Sequence, residues 1–212
     1  MFTAGFLRRG VLAGAALAAT LVVSACGGDG SSSGSAMDHG AATAASAPAG
    51  TAAFNDADVT FAQLMIDHHR QAIQMAALAD GRAADPGVKE LAATIKAAQQ
   101  PEIDTMNQWL TAWGKPAPAP GSTMEPGMPG MDHGAMPGMM SAEDMAELTG
   151  AKGAAFDKQF LTMMIAHHEG AVQMAQQEAA QGSDPEAKAL AQKIVTDQQA
   201  EIAEMRKMLE QS

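Results

Sequence analysis

Four of the chain's six histidines stand in two adjacent pairs, His68-His69 and His167-His168, offset by ninety-nine residues. Their surroundings repeat as well: Phe61 to Ala76 reads FAQLMIDHHRQAIQMA and Phe160 to Ala175 reads FLTMMIAHHEGAVQMA. The correspondence continues without a gap. Asp85-Pro86 answers Asp184-Pro185, and Gln99, Glu102, Ile103 and Met106 answer Gln198, Glu201, Ile202 and Met205. Imidazole is the commonest protein nitrogen ligand for metals, and carboxylates serve beside it as ligands or as hydrogen-bond partners that orient it. Met65 and Met75 flank the first pair and Met164 and Met174 the second, each able to set a thioether beside an imidazole. The candidate metal ligands are therefore His68, His69, Met65, Met75, Glu102 and Met106, with His167, His168, Met164, Met174, Glu201 and Met205 as their repeats.

The identity of the ion follows from the softness of the donors. Seventeen methionines accompany a single cysteine, Cys26, so thioethers are plentiful and a multi-thiolate site is excluded. On a helix a methionine also serves as core filling. Met124, Met128, Met131, Met136, Met139 and Met140 instead lie among Gly and Pro, with Asp132 and His133 between them, where no helix face needs filling. They are expected to be accessory ligands, together with Met37 and His39 nearer the N-terminus; the other reading is an apolar lid. Thioether with imidazole selects copper, Cu(I) over Cu(II), and accepts Ag(I); iron or zinc fits less well.

Two helical hairpins must position these groups. A helix capped at Asn55 or Asp56 and running to about Asp80 places Phe61, Leu64, Met65, His68, Ala72, Met75 and Ala76 on one stripe, with His69 at its edge. A second helix begins at Asp85-Pro86 and reaches about Trp113, with Pro101 as a potential kink. Its apolar stripe contains Gln99 and Glu102. Ser141 and Asp144 form a capping box for a short helix. Helices from about Ala154 to Ala180 and from Pro185 onward repeat the first hairpin. Counting outward from each turn puts His68 level with Gln99 and His167 level with Gln198, near the middle of long helices. The two polar levels must meet, in a layer of four His, two Glu and two Gln. Unpaired, each such group costs about 1–3 kcal/mol. The layer either binds something or is a hydrogen-bond network that only sets helix register.

The rest of the chain bounds the class. A net charge of -11 makes nucleic acid and anionic lipid surfaces poor partners. Arg8-Arg9 followed by the apolar run Val11 to Val23, ending in Val23-Ser24-Ala25-Cys26-Gly27, reads as an export signal. The small residues before the only cysteine resemble a bacterial lipobox, which implies lipidation at Cys26 and attachment to the extracytoplasmic side of the bacterial cell membrane by the lipid alone. The expected organisation is a lipoprotein signal peptide over 1–25, a flexible tether over 26–53, hairpins over 54–113 and 141–212, and a Met/Gly/Pro-rich linker over 114–140.

Two motifs carry a family resemblance. His68-His69-x-x-Ala72-x-x-Met75-Ala76 with Gln99-x-x-Glu102-Ile103-x-x-Met106, and their repeats at His167 and Gln198, resemble the ferritin-like bacterial family DUF305 over about Phe54 to Leu209. The resemblance implies an all-α four-helix bundle, export to the envelope and, for some members, copper binding. Met131-Asp132-His133-Gly134-Ala135-Met136 is similar to the Met-Asp-His-Gly repeats of envelope copper-resistance proteins. Three functions are compatible with these residues. The first is copper sequestration or tolerance, served by hand-over to a copper-handling partner. The second is a di-metal oxidase, for which two glutamates are few. The third is a structural or partner-binding bundle.

Overall fold

Helices with strong caps dominate the molecule. The computed structural model describes residues 53–119 and 136–211. Within them lie α1 (Asp56–Arg82), α2 (Pro86–Ala112), α3 (Ala142–Gly150), α4 (Ala154–Gln181) and α5 (Pro185–Gln211). All belong to one compact unit, Ala47–Ser212. Residues 1–52, where the export signal and most of the tether are expected, and residues 120–135 lie outside the described residues.

The starts of α1, α2 and α3 each have a chemical reason. The Asn55 side chain accepts from the amides of Ala57 and Asp58, and Asp58 returns a bond to the Asn55 amide, closing a capping box. Asp85 caps α2 with Pro86 at its first position, and Ser141 with Asp144 caps α3 as expected. α2 runs through Pro101 to Ala112. Pro101 is exposed, so the carbonyl left without a partner by its missing N–H faces water.

α1 packs on α2, α4 on α5, and α1 on α4, so the hairpins join through their first helices. Their register is set at both ends by one aspartate and its repeat. Asp58 accepts from the Ser183 and Asp184 amides in the α4–α5 turn. Asp157, ninety-nine residues later, accepts from the Ala84 and Asp85 amides in the α1–α2 turn. α1 and α4 are thereby antiparallel. The buried apolar side chains form two clusters, one around Met75, Leu91, Phe156, Phe160, Met164 and Met205, the other around Phe61, Met65, Ile66, Met106, Met174 and Ile194. The histidines, with Glu102, Glu201, Gln99 and Gln198, fall between the two.

Glu178 departs from the repeat, in which Ala79 is its equivalent. It is buried against Asp58 beneath Gly182, and no donor is aimed at its carboxyl. Burial first, and then the Asp58 carboxylate, pushes Glu178 up to about 8, so at neutral pH it keeps its proton and donates it to Asp58. Burial pushes Asp58 up too, but the bond from Glu178 and those from the amides of Asn55, Asp184 and Ser183 outweigh it and hold Asp58 below its ordinary value. A carboxyl whose folded value exceeds its unfolded 4.5 takes up a proton on folding, so stability falls as pH rises from 4.5 towards 8 and then levels off. Glu178→Gln keeps a donor towards Asp58 and cannot ionise. Its melting temperature should match the parent's at pH 5 and exceed it by a few degrees at pH 8; equal melts at both pH values would contradict the proton-bearing pair.

Candidate metal centre

The four paired histidines are buried: His68, His69 and His168 are 0% exposed and His167 is 1% exposed. Adjacent residues on one helix point about 100° apart, so burying both demands that α1 and α4 each be covered on two sides. His68 turns towards α4, where its ring lies 3.7 Å from that of His167, tilted by 40°. His69 turns towards α2, where its Nε2 meets Glu102 Oε2 at 2.9 Å. His168 repeats this towards α5, with Nε2 2.7 Å from Glu201 Oε2. His69, expected at the edge of the apolar stripe, is thus fully enclosed.

Protonation follows from the partners. A carboxylate or a carbonyl only accepts, so the nitrogen facing it carries the hydrogen. His69 and His168 donate from Nε2 to their glutamates, and His68 donates from Nε2 to the Pro137 carbonyl at 3.2 Å. Nδ1 of all three is buried and has no partner, and His167 has none at either nitrogen. Burial first, and then the neighbouring imidazole His69, pushes His68 down to about 3. Burial first, and then the neighbouring imidazole His68, likewise hold His167 well below its ordinary value. Burial pushes Glu102 up, but the His69 hydrogen bond and Lys193, 3.0 Å from its other oxygen, together hold it below the usual carboxylate range. Burial therefore keeps the imidazoles of His68 and His167 neutral, with ring nitrogens that lack partners, even in mild acid.

These donors fit a metal cargo. Among the described residues no three His, Cys, Asp or Glu side chains stand close enough to cage an ion by themselves. Imidazole lone pairs would be the primary ligands, with sulfur completing the set. Glu102 and Glu201 face the opposite ring nitrogen and orient their histidines rather than meeting one another. The six methionines singled out beside the histidines and glutamates are all in the core: Met65, Met75, Met106, Met164 and Met205 are 0% exposed and Met174 is 9% exposed. Gln99 and Gln198 are buried in the same layer, each with an Oε1 that lacks a partner.

Part of the Met-rich linker lies over this layer as a strap, closer to the lid weighed for it in the sequence, though what holds it there was not foreseen. Met136, Met139 and Met140 are half-buried, while Met124, Met128, Met131, Asp132 and His133, like Met37, His39 and Cys26, lie outside the described residues. Besides the His68 bond to Pro137, one amide side chain clasps the strap. Gln71 donates to the Met140 carbonyl at 2.8 Å and accepts from the Met140 amide at 2.7 Å. The repeat-equivalent of Gln71 is Gly170, where a Cβ would overlap the Pro137 carbonyl. Gly138 has φ +77 and lies against the backbone of Ala166 and His167, where only a glycine fits. The visible signal was this break at 71 and 170 in an otherwise close repeat. Gly170→Ala should lift the strap: amide exchange at Met140 should accelerate at least about tenfold while the helical circular dichroism is retained. Continued protection of Met140 would contradict the close approach.

The comparisons agree with this architecture. The profile of the family of unknown function DUF305 matches residues 58–209. No curated protein matches the chain. Among solved structures, a DUF305 protein from Streptomyces coelicolor, presumed to be secreted, is 31% identical, with 73% of this chain and 93% of that one covered and a TM-score of 0.65. A DUF305 fragment from Deinococcus radiodurans is 33% identical, covering 74% of this chain and 98% of that one, with a TM-score of 0.65. CopM in its Cu(I)-bound form is 33% identical over 73% of this chain and 96% of its own, with a TM-score of 0.57. CopM is also known in Ag-bound and Cu(II)-bound forms. With its profile match, its repeated His-His helices and its all-α bundle, the chain belongs to the DUF305 family.

Proposed function

We propose that this protein binds copper, as Cu(I), in the layer between its two hairpins, and serves copper sequestration or tolerance at the cell envelope. The observation that carries the reading is the facing pair of buried, neutral imidazoles, His68 and His167, whose ring nitrogens lack partners at three of four positions. A layer meant only to set register would pair those nitrogens, because each left bare costs about 1–3 kcal/mol. Copper satisfies them, and nearby thioethers favour its reduced state. The Cu(I)-bound and Ag-bound forms of CopM support the choice of a soft ion. The chain would hold the ion with His68, His69, His167 and His168, with sulfur from Met65, Met75, Met164 and Met174. Met106 and Met205 are further candidates. The strap methionines, Met139 and Met140, and those of the preceding linker would capture the ion and pass it inward.

Among the described residues no helix is long and apolar enough to cross a membrane. Attachment would come from lipidation at Cys26. The di-metal oxidase is less well supported, because Glu102 and Glu201 are each bonded to a histidine of their own hairpin.

Competition titration of the exported chain with Cu(I), Ag(I), Zn(II) and Fe(II) tests the reading. Cu(I) and Ag(I) should bind most tightly, and His68→Ala with His167→Ala should weaken both by at least about tenfold. Removal of residues 121–140 should lower the number of ions bound more than it lowers the melting temperature. Fe(II) binding with oxygen consumption would instead support the oxidase. Absence of binding by every ion would leave a register-setting bundle.

A further inference from the structure

The ninety-nine-residue repeat makes the two His–Glu pairs equivalent in sequence, and the fold makes them unequal in charge. Glu102 is bonded on one oxygen by His69 and on the other by Lys193 at 3.0 Å, and Lys193 also reaches Asp197 at 2.6 Å. The repeat-equivalent of Lys193 is Thr94. Thr94 turns its hydroxyl back onto the Glu90 carbonyl of its own helix at 3.0 Å. Among the described residues, Glu201 makes its ion pair with His168 alone.

Glu201 also lines a groove whose carboxylates the repeat does not copy. A groove of about 370 Å³ between α2 and α5 is lined by Asp85, Glu90, Thr94, Glu201, Glu204 and Met208. Ala189 and Thr105 are the repeat-equivalents of Glu90 and Glu204. One His–Glu pair is therefore approached through carboxylates, and the other is covered by an ammonium. Carboxylates lining a groove raise the local concentration of cations. Behind Glu201 wait two buried groups without partners, His168 Nδ1 and Gln198 Oε1.

We infer that the protein loads asymmetrically: a cation enters by the α2–α5 groove and is taken first by the His168–Glu201 half, while Lys193 holds the His69–Glu102 half in reserve. Two effects act in the same direction. A carboxylate bonded to a ligating histidine raises the basicity of the ring, and an ammonium on that carboxylate withdraws the effect. The same ammonium repels an approaching cation, more strongly at low salt than at high. The inference deepens the proposed function and rests on it only in taking these imidazoles as ligands.

The swap of two exposed residues tests it without touching the core, since Thr94 and Lys193 are both exposed. Ag(I), diamagnetic and stable in air, is titrated into the exported chain labelled with ¹⁵N-histidine, and the ring nitrogens are followed by NMR. In the parent, His168 should respond at about tenfold lower free Ag(I) than His69. Lys193→Thr should bring His69 to the concentration at which His168 responds. Thr94→Lys should delay His168 until the two coincide, and added salt should shrink both effects. Simultaneous response in the parent, or an order that neither swap alters, overturns the inference while leaving copper binding intact. If no ring nitrogen responds to Ag(I), the proposed function fails and the inference with it.

Discussion

Two aspartates ninety-nine residues apart, Asp58 and Asp157, each reach across to bind the turn amides of the opposite hairpin. Buried backbone amides at a turn must be satisfied, and these carboxylates do it from the partner hairpin rather than from their own. Both ends of the α1–α4 interface are thereby pinned in one antiparallel register. With the ends fixed, helices of matching length can bring only one level together at the middle. That level is His68 against His167, at 3.7 Å between rings.

The consequence is a core in two parts. Apolar clusters fill both ends of the bundle, and a polar layer of imidazoles, carboxylates and amides divides them. Desolvation keeps His68 and His167 neutral, and neutrality is what a metal requires of imidazole. The glutamates lie on the side of their rings away from the unpartnered nitrogens, so each orients its ring and leaves Nδ1 free of any protein partner. This arrangement serves a bound ion and serves simple packing poorly, because an apolar layer of equal volume would avoid the unsatisfied nitrogens.

The repeat matters as much where it fails as where it holds. Gln71 clasps the strap where its counterpart Gly170 makes room for it, so a single crossing segment is accommodated by two different solutions on paired helices. Lys193 covers Glu102 where Thr94 leaves Glu201 open. Glu178 shares a proton with Asp58 where Ala79 lies in the other half. Duplicated hairpins thus supply the scaffold, and unpaired substitutions give the two halves different surroundings.

Much of this was written in local pattern. Helix positions, the caps at Asn55, Asp85 and Ser141, the bundle class, the histidine layer and its glutamate and glutamine companions all follow from spacing, because helical periodicity and capping are short-range properties. Which nitrogen faces which oxygen was not legible. Level counting placed His68 beside Gln99, yet the bonded pair in that hairpin is His69 with Glu102, because side-chain direction depends on how helices rotate against their neighbours. The strap over the layer, the opposite roles of Gln71 and Gly170, and the ammonium on Glu102 were likewise settled only in three dimensions. The sequence alone determined which donors this protein owns and that they recur on matched helices. The tertiary structure decided which lone pairs stay unoccupied, since that depends on contacts between segments far apart in the chain, which no local periodicity encodes.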